Sequence, residues 1–301
     1  MRITKFSEGG SFFKGNLHTH TTVSDGKASP EEIKRLYKDK GYDFLAITDH
    51  NAYGVYPDLT EPDFALLPGV ELDYAADNKY MHVVGIGIPG KNTFSHGQNM
   101  TEAKKGCKGI QDLVNLLTDN GNHAIIAHPS WSNLALSDIA DTKNLLGMEI
   151  YNHLCEVEYG NGNANVYYEH LCREGIGGIA CVAVDDNHHA TPVSVGGFVM
   201  VKAETLTPSA IADALGKGSF YASSGPLIYD FYAEDGVAHI SCSPAERIVF
   251  AAAPLFHTRC KSDCCARGLT SFSARVEGAK AVRAIVTDGN GRSAYTQPLW
   301  L

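Results

Sequence analysis

The sequence predicts an α/β fold with a largely parallel sheet, followed by a smaller antiparallel β unit. Short apolar runs alternate with helical patterns through the first two thirds of the chain, which is typical of strand–helix units. Polar side chains repeatedly follow the apolar runs, where a (β/α) barrel places its functional residues. Beyond residue 226 the helical patterns give way to short alternating runs separated by turn residues, as in antiparallel strands.

The first helix is predicted from its boundary residues. Residues 30–37 begin with proline and two acids, and Ser29 before them is suited to the N-cap. Gly41 is suited to end the helix, because glycine readily adopts the left-handed conformation found there. The apolar run 44–48 then predicts a buried strand.

The remaining elements follow from the same two patterns. Further strands are predicted at residues 65–71, 81–88, 122–129, 148–152 and 178–184, and helices at 110–118, 165–174 and 208–215. Short C-terminal strands are predicted at residues 239–242, 247–250, 272–276 and 282–287, with a turn at 288–291. The pattern divides the chain into a domain of residues 1–226 and a β domain of residues 227–301.

Composition narrows the class of protein. The 301 residues are 44% hydrophobic and 20% charged, as in ordinary globular proteins. The formal net charge of −9 argues against a surface for nucleic-acid polymers. No apolar leader or membrane-length run is seen, so we expect a cytoplasmic protein with no membrane partner.

The eight cysteines are too sparse for a disulfide scaffold. Cys260, Cys264 and Cys265, with His257 nearby, could form a zinc knuckle. Their spacing lacks a two-residue cysteine pair, however, and free cysteines in a loop are the favoured interpretation.

Residues suited to bind a metal are the most informative feature of the sequence. Imidazoles and carboxylates are ligands of Zn²⁺, Mn²⁺ and Fe²⁺. His18 and His20 are two residues apart, so on a strand both point to one face. The candidates, most of which follow apolar runs, are His18, His20, Asp25, His50, Glu71, His82, His128, Asp186 and His188. Asp25 could instead be only a turn residue, and Asp49 is expected to orient a neighbour rather than bind metal.

The order of these residues resembles that of the PHP (polymerase and histidinol phosphatase) family of the amidohydrolase superfamily. Its motifs match His18-Thr19-His20, Thr48-Asp49-His50, His128 and Asp186-Asn187-His188, and Glu71 and His82 also match. The resemblance covers residues 14–226. Segments 15–18, 184–188, 220–226 and 294–300 are similar to the carbaryl-hydrolase-like branch, although Gln297 replaces the usual Asn, which we expect to be structurally neutral.

The resemblance implies a distorted (β/α)7 TIM-like barrel with a small C-terminal antiparallel β domain. It also implies two or three divalent ions, Mn, Fe or Zn. The implied assignment is His18, His20, Glu71 and Asp186 on the first ion, Glu71, His82 and His128 on the second, and Asp25, His50 and His188 on the third.

The implied function is a metal-dependent phosphoesterase that hydrolyses a small phosphorylated metabolite. A nucleotide or sugar phosphate mono- or diester would be attacked by a hydroxide bridging two metals, and phosphate would be the product. Asp185 and His189 are candidate proton donors or supporting residues. Lys27, Tyr151 and Asn152 are candidate substrate contacts, although Lys27 could be an ordinary solvated lysine.

Two other functions are compatible with the sequence. The same scaffold could hydrolyse an ester, carbamate or amide bond, as the carbaryl-hydrolase-like resemblance would allow. A binding module without activity is the third possibility, but the intact ligand set favours an enzyme. No recognisable nucleic-acid-binding module is seen, so we expect no nucleic-acid polymer as a partner.

Overall fold

A computed structural model describes residues 2–253, the backbone of residues 259–262, and residues 268–301. His257, Cys264, Cys265 and the side chain of Cys260 lie outside the described residues, so the question of the zinc knuckle is left open there.

Strands and helices are interspersed as far as residue 216, and the described elements after it are strands. The strands are β1 Ser11–Asn16, β2 Phe44–Ala46, β3 Ala65–Leu67, β4 Gly69–Ala76, β5 Lys79–Gly87, β6 Asn122–Ile126, β7 Gly147–Asn152, β8 Ala180–Val184, β9 Phe198–Ala203, β10 Phe220–Ser223, β11 Ile228–Glu234, β12 Val237–Ala245, β13 Arg247–Ala253, β14 Arg259–Ser262, β15 Leu269–Arg275, β16 Ala281–Thr287, β17 Ser293–Thr296 and β18 Leu299–Trp300. The helices are α1 Pro30–Asp39, α2 Met100–Ala103, α3 Ile110–Thr118, α4 Leu136–Ala140, α5 His153–Tyr159, α6 Asn165–Arg173 and α7 Pro208–Gly216, with a 3₁₀ helix at Pro57–Leu59.

The predicted first helix has the predicted cap. The Ser29 side chain accepts a hydrogen bond from the backbone N–H of Glu32, whose carboxylate accepts from the N–H of Ser29. The helix buries Ile33 and Tyr37 against Leu45 of β2. Burying side chains of this size contributes about 1.5–3 kcal/mol each, which holds α1 on the sheet.

A five-stranded sheet has the order β4-β5-β6-β7-β8. Only β6, β7 and β8 run parallel within it, and β5 is antiparallel to both β4 and β6. Asp77 and Asn78, both in the left-handed region with φ of 52° and 60°, form the turn between β4 and β5. Because such a two-residue turn makes a hairpin, no crossover helix separates these strands.

A ten-stranded sheet has the order β14-β13-β16-β17-β10-β9-β1-β2-β3, with β18 also paired to β16. The C-terminal strands in it are antiparallel, as are those of a three-stranded sheet of order β11-β12-β15. Phe231 and Ile240 of the small sheet pack with Phe250 and Val282 of the large one in a shared apolar core.

The mixed α/β class is therefore confirmed, but closure into a (β/α)7 barrel is not shown. The strands that were expected to form one barrel belong to two sheets that meet at Pro68, between β3 and β4. Proline has no N–H to donate to a ladder, so a continuous strand is interrupted there. The domain boundary after residue 226 stays a prediction, and β10 before it pairs directly with β17 after it.

None of the helices in the described ranges is long and apolar enough to cross a membrane.

Candidate metal centre

All nine predicted ligands lie in one cluster at the ends of neighbouring strands. His18 and His20 follow β1, His50 follows β2, Glu71 lies on β4 and His82 on β5. His128 follows β6, and the loop after β8 carries Asp186 and His188. The remaining member, Asp25, reaches the cluster from the loop that follows His20.

His18, His20 and Asp186 form the most buried group. Their side chains offer ligand atoms that all lie within 4.8 Å of one another. Oδ1 of Asp186 is 3.3 Å from Nε2 of His18 and 3.1 Å from Nε2 of His20. The two Nε2 atoms are 3.1 Å apart, so both imidazoles face one point, as their spacing along the chain predicted.

Glu71 lies at the centre of the cluster. Its Oε2 is 3.2 Å from Nε2 of His18, 3.3 Å from Nε2 of His20 and 3.1 Å from Nδ1 of His50. Its Oε1 is 2.9 Å from Nδ1 of His82 and 3.4 Å from Nε2 of His128. The two oxygens thus face different sets of imidazoles, which is the arrangement expected of a carboxylate that bridges two cations.

Asp25 completes a third group, in which His20, His50 and His188 surround it. Its carboxylate oxygens lie 3.4–3.8 Å from nitrogens of these three residues. His50 also belongs to a group with Glu71 and His82, and His20 to the group with His18. The division into three separate ligand sets implied by the resemblance is therefore less sharp in the structure, because two histidines are each shared by two groups.

The donor set fits divalent metal ions. Nδ1 of His20, Oε2 of Glu71 and Oδ1 of Asp186 are buried, and none has a hydrogen-bond partner within the described residues. Buried charged groups without such partners are costly unless they are paired or bind a metal. Imidazole nitrogens and carboxylate oxygens together suit first-row divalent cations.

The charges in the cluster shift the pKa values of its members. Burial lowers the pKa of His20, but the adjacent carboxylates of Asp186 and Glu71 raise it to about 9 overall. The pKa of His18 is likewise raised despite its burial, by the charges of Asp186, Glu71 and Glu149. Burial alone raises the pKa values of Glu71 and Asp186, yet the nearby imidazoles hold both well below the usual range. The carboxylates are therefore ionised and ready to accept a cation.

Glu149, on β7, is a functional residue that sequence reasoning missed. Its Oε1 accepts a hydrogen bond from Nδ1 of His18 at 2.7 Å, and its Oε2 accepts from the backbone N–H of His128 at 2.7 Å. Asn152 also donates to Oε2. A carboxylate that fixes a ligand imidazole in this way sets its tautomer and orientation. The available signal was an acid in the middle of an apolar strand.

Two of the candidate ligands have unusual backbone conformations. His128 has φ of 24° and Asp186 has φ of 53°, both in the left-handed region that non-glycine residues rarely adopt. Such residues cost on the order of 1–3 kcal/mol each and cluster at functional sites. Hydrogen bonds hold both in place: Asp186 donates its N–H to the carbonyl of His18, and Nδ1 of His128 pairs with Oγ of Ser132 at 2.8 Å.

A cavity of about 370 Å³ opens onto this cluster. Its volume lies in the range of small-molecule sites. The lining includes seven of the cluster residues together with Lys27, Trp131, Leu154, Cys155, Glu158, Tyr159 and His189. Lys27 and His189 are thus placed where a substrate could contact them.

The other predicted site residues lie elsewhere. The hydroxyl of Tyr151 pairs with Nδ1 of His153, and Asn152 is buried against Glu149 and Asp186, so neither lines the cavity. Neither position supports a direct contact with substrate.

Asp185 is fully buried next to the candidate ligand Asp186 and does not line the cavity. Its Oδ1 accepts hydrogen bonds from the N–H groups of Gly196 and Gly197, and its Oδ2 accepts from the hydroxyl of Tyr37. Burial raises the pKa of Asp185 to about 6. Because its oxygens are occupied by these donors, Asp185 is placed to position the β8 loop rather than to donate a proton to a leaving group.

Comparison with known proteins identifies the family of this arrangement. The PHP domain family matches residues 16–173, which is more than half of the chain. A two-domain protein from Bacteroides vulgatus, described as containing a predicted PHP-like metal-dependent phosphoesterase, has a similar fold. Its TM-score is 0.51 at 15% identity, and the alignment covers 98% of this chain and 97% of that one.

Two curated relatives match shorter segments. The 5'-3' exoribonuclease Rnm of Salmonella typhimurium is 35% identical over 79 residues, which are 24% of this chain and 27% of that protein. The DNA polymerase/3'-5' exonuclease PolX of Bacillus subtilis is 37% identical over 82 residues, 21% of this chain and 14% of that protein. The chain therefore spans only about a quarter or less of the length of these relatives.

The names of these relatives contradict one expectation from the sequence. We expected no nucleic-acid polymer as a partner, partly from the net charge of −9, yet relatives named as an exoribonuclease and a DNA polymerase/exonuclease match segments of this chain. Net charge alone does not exclude such a partner, because metal ions bound at a site can reverse its local field.

Proposed function

Because this chain belongs to the PHP domain family, we propose that it is a metal-dependent phosphoesterase that hydrolyses a phosphoester bond in a nucleotide or at the end of a nucleic acid. The observation that carries the proposal is the convergence of His18, His20, Glu71 and Asp186 beside a cavity of substrate size. The names of the curated relatives support the nucleotide part.

The residues that would hold the ions are the nine of the cluster, with Glu71 shared between sites. When bound there, two or three Mn, Fe or Zn ions would offset the charge of the phosphoryl oxygens and lower the pKa of a bound water. Glu149 and Ser132 hold the imidazoles of His18 and His128 by hydrogen bonds, so these rings would be oriented before an ion binds. Pre-set ligands reduce the reorganisation that binding requires.

His189 is our candidate for moving a proton at the leaving group. It lines the cavity, is about half exposed, and its Nε2 is 2.6 Å from Oε1 of Glu158. The carboxylate orients the ring beside the cavity, and an imidazole is a suitable group to donate a proton to a departing alkoxide. Lys27 also lines the cavity, and we assign it the role of binding a phosphate oxygen.

The proposal is tested by measuring phosphate and nucleotide release from metal-stripped protein to which Mn²⁺, Fe²⁺ or Zn²⁺ is restored. Substrates would be nucleoside monophosphates, a sugar phosphate, a phosphodiester, and 5′-phosphorylated RNA and DNA oligonucleotides. We expect metal-dependent turnover that the His18→Ala variant abolishes. The His239→Ala variant is the matched control, because His239 is a partly buried histidine on β12 that pairs with Ser273 and lies outside the cluster. Cleavage of aryl esters or carbamates without any phosphoester turnover would overturn the proposal.

A further inference from the structure

One wall of the cavity is aromatic. Trp131, in the loop after β6, and Tyr159, at the end of α5, both line the cavity, and their ring centroids are 6.3 Å apart. Tyr80 of β5 extends this surface, with its ring 5.6 Å from that of Trp131. We call these three residues the aromatic wall.

The aromatic wall is fixed relative to the candidate metal centre. The ring of Trp131 packs edge-on against His128, with centroids 4.9 Å apart, and against His82 at 6.0 Å. Both histidines are candidate ligands that also contact Glu71. A group bound against Trp131 would therefore be held at a set distance from the reacting phosphate.

The outer part of the aromatic wall is exposed. Tyr159 is 58% exposed and Tyr80 is 53% exposed. Tyr159 lines the cavity, whereas Tyr80 lies outside it and contacts Trp131, so the aromatic surface continues from the cavity onto the exterior of the protein. A single exposed aromatic residue needs no explanation, but a contiguous exposed patch can mark a binding surface. Lys27, Glu158 and His189 also line the cavity, so its lining combines aromatic and charged side chains.

We propose that the aromatic wall binds the nucleobase of the substrate by stacking, so that Trp131 and Tyr159 determine specificity for nucleotides. This inference rests on the proposed function and narrows its substrate class to phosphoesters that carry a base next to the scissile bond. Stacking tolerates any base, since every base has a π-face. The site is then selective for nucleotides over base-free phosphates, with little preference among the four bases.

The test compares kcat/KM for adenosine 5′-monophosphate and ribose 5-phosphate in the wild type and in variants. Base–aromatic stacking corresponds to roughly a 5- to 150-fold change per base. We expect the Trp131→Leu variant to lower the ratio of the two kcat/KM values by about this factor, and the Trp131→Phe variant to restore much of it. Tyr159→Leu tests the wall without disturbing a residue that packs on His128. The matched control is Tyr229→Leu, an equally exposed tyrosine on β11 that does not line the cavity.

A binding measurement separates failure of this inference from failure of the proposed function. In a Trp300→Phe background Trp131 is the sole tryptophan, so quenching of its fluorescence by adenosine reports stacking without hydrolysis. If adenosine quenched the fluorescence of a protein that has no phosphoesterase activity, the aromatic wall would remain a base-binding site and the proposed reaction would be rejected. Equal losses on both substrates in the Trp131→Leu and Tyr159→Leu variants, or no quenching, would overturn the stacking role.

Discussion

Replacing Glu149 with glutamine should weaken metal binding although Glu149 is not itself a candidate ligand. One carboxylate oxygen accepts from the ring of His18 and the other from the backbone of His128, each at 2.7 Å. The amide of glutamine has nearly the same shape but only one acceptor oxygen. Asn152 also donates to this carboxylate, so at least one of the three donors must lose its partner.

Two magnitudes follow from this loss. Removing the residue that orients a metal ligand typically weakens metal binding by about 10- to 100-fold, or roughly 1.4–2.8 kcal/mol. A buried donor left without an acceptor costs about 1–3 kcal/mol of folding stability. We therefore expect both the affinity for Mn²⁺ and the free energy of unfolding of the metal-free Glu149→Gln protein to fall by these amounts.

The assay is calorimetric titration of metal-stripped protein with Mn²⁺, together with urea unfolding of the same samples. Glu156→Gln is the matched control, because Glu156 accepts from the backbone N–H of Gly162 three residues beyond the end of α5. It should bind Mn²⁺ like the wild type. A Glu149→Gln protein that binds Mn²⁺ with wild-type affinity would refute the idea that this carboxylate positions the centre.

Three further predictions concern metal content, pH and stability. His50→Ala removes a member of two ligand groups and should lower the bound metal by at least one ion per chain, as measured by elemental analysis; unchanged content would contradict the shared role. The pKa of His20 is raised to about 9 in the folded protein, against about 6.5 in the unfolded chain. Protonated His20 therefore stabilises the metal-free fold fully below pH 6.5, and this stabilisation is lost as the pH rises through 9. Urea unfolding should show metal-free stability falling over that range, while Mn²⁺ affinity rises because the imidazole must lose its proton. Arg283→Ala breaks the buried pair with Glu169 on α6 and should lower the free energy of unfolding by about 3 kcal/mol. Arg275→Ala, which breaks an exposed pair, should lower it by under about 1 kcal/mol. Equal unfolding midpoints for the two variants would contradict this difference.

Local signals carried much of the fold. The cap at Ser29 and the predicted helix at Ile110–Thr118 depend on residues adjacent in sequence, so they could be read directly. The pairing of β4 with β5 depended on the turn at Asp77 and Asn78, which sequence reasoning did not weigh. Because the prediction left this turn out, the pattern of strands and helices suggested a regular barrel, which the two sheets do not form.

The candidate site, like the fold, was predictable from the sequence only in part. Ligand residues could be found because histidine pairs and strand ends are visible in sequence, and the structure brings them together. Glu149 and Trp131 could not be assigned, since their roles depend on contacts between β7, β1 and the loop after β6. Gln297, expected to be neutral, uses its amide to bond both the N–H and the carbonyl of Cys181 on β8, a contact that only the tertiary fold creates.

The pairing of β10 with β17 has a consequence for how the chain matures. β10 lies beside β9, which in turn pairs with the strand that leads to His18 and His20. The other edge of β10 is covered only when Tyr221 and Ala222 pair with Thr296 and Tyr295 of β17. These β17 residues are synthesised much later than β10. Until then the nascent metal-binding half carries an open strand edge, and such an edge is a template for association with other chains. During synthesis the chain would therefore pass through an intermediate that contains all nine candidate metal ligands but lacks the strand that covers β10.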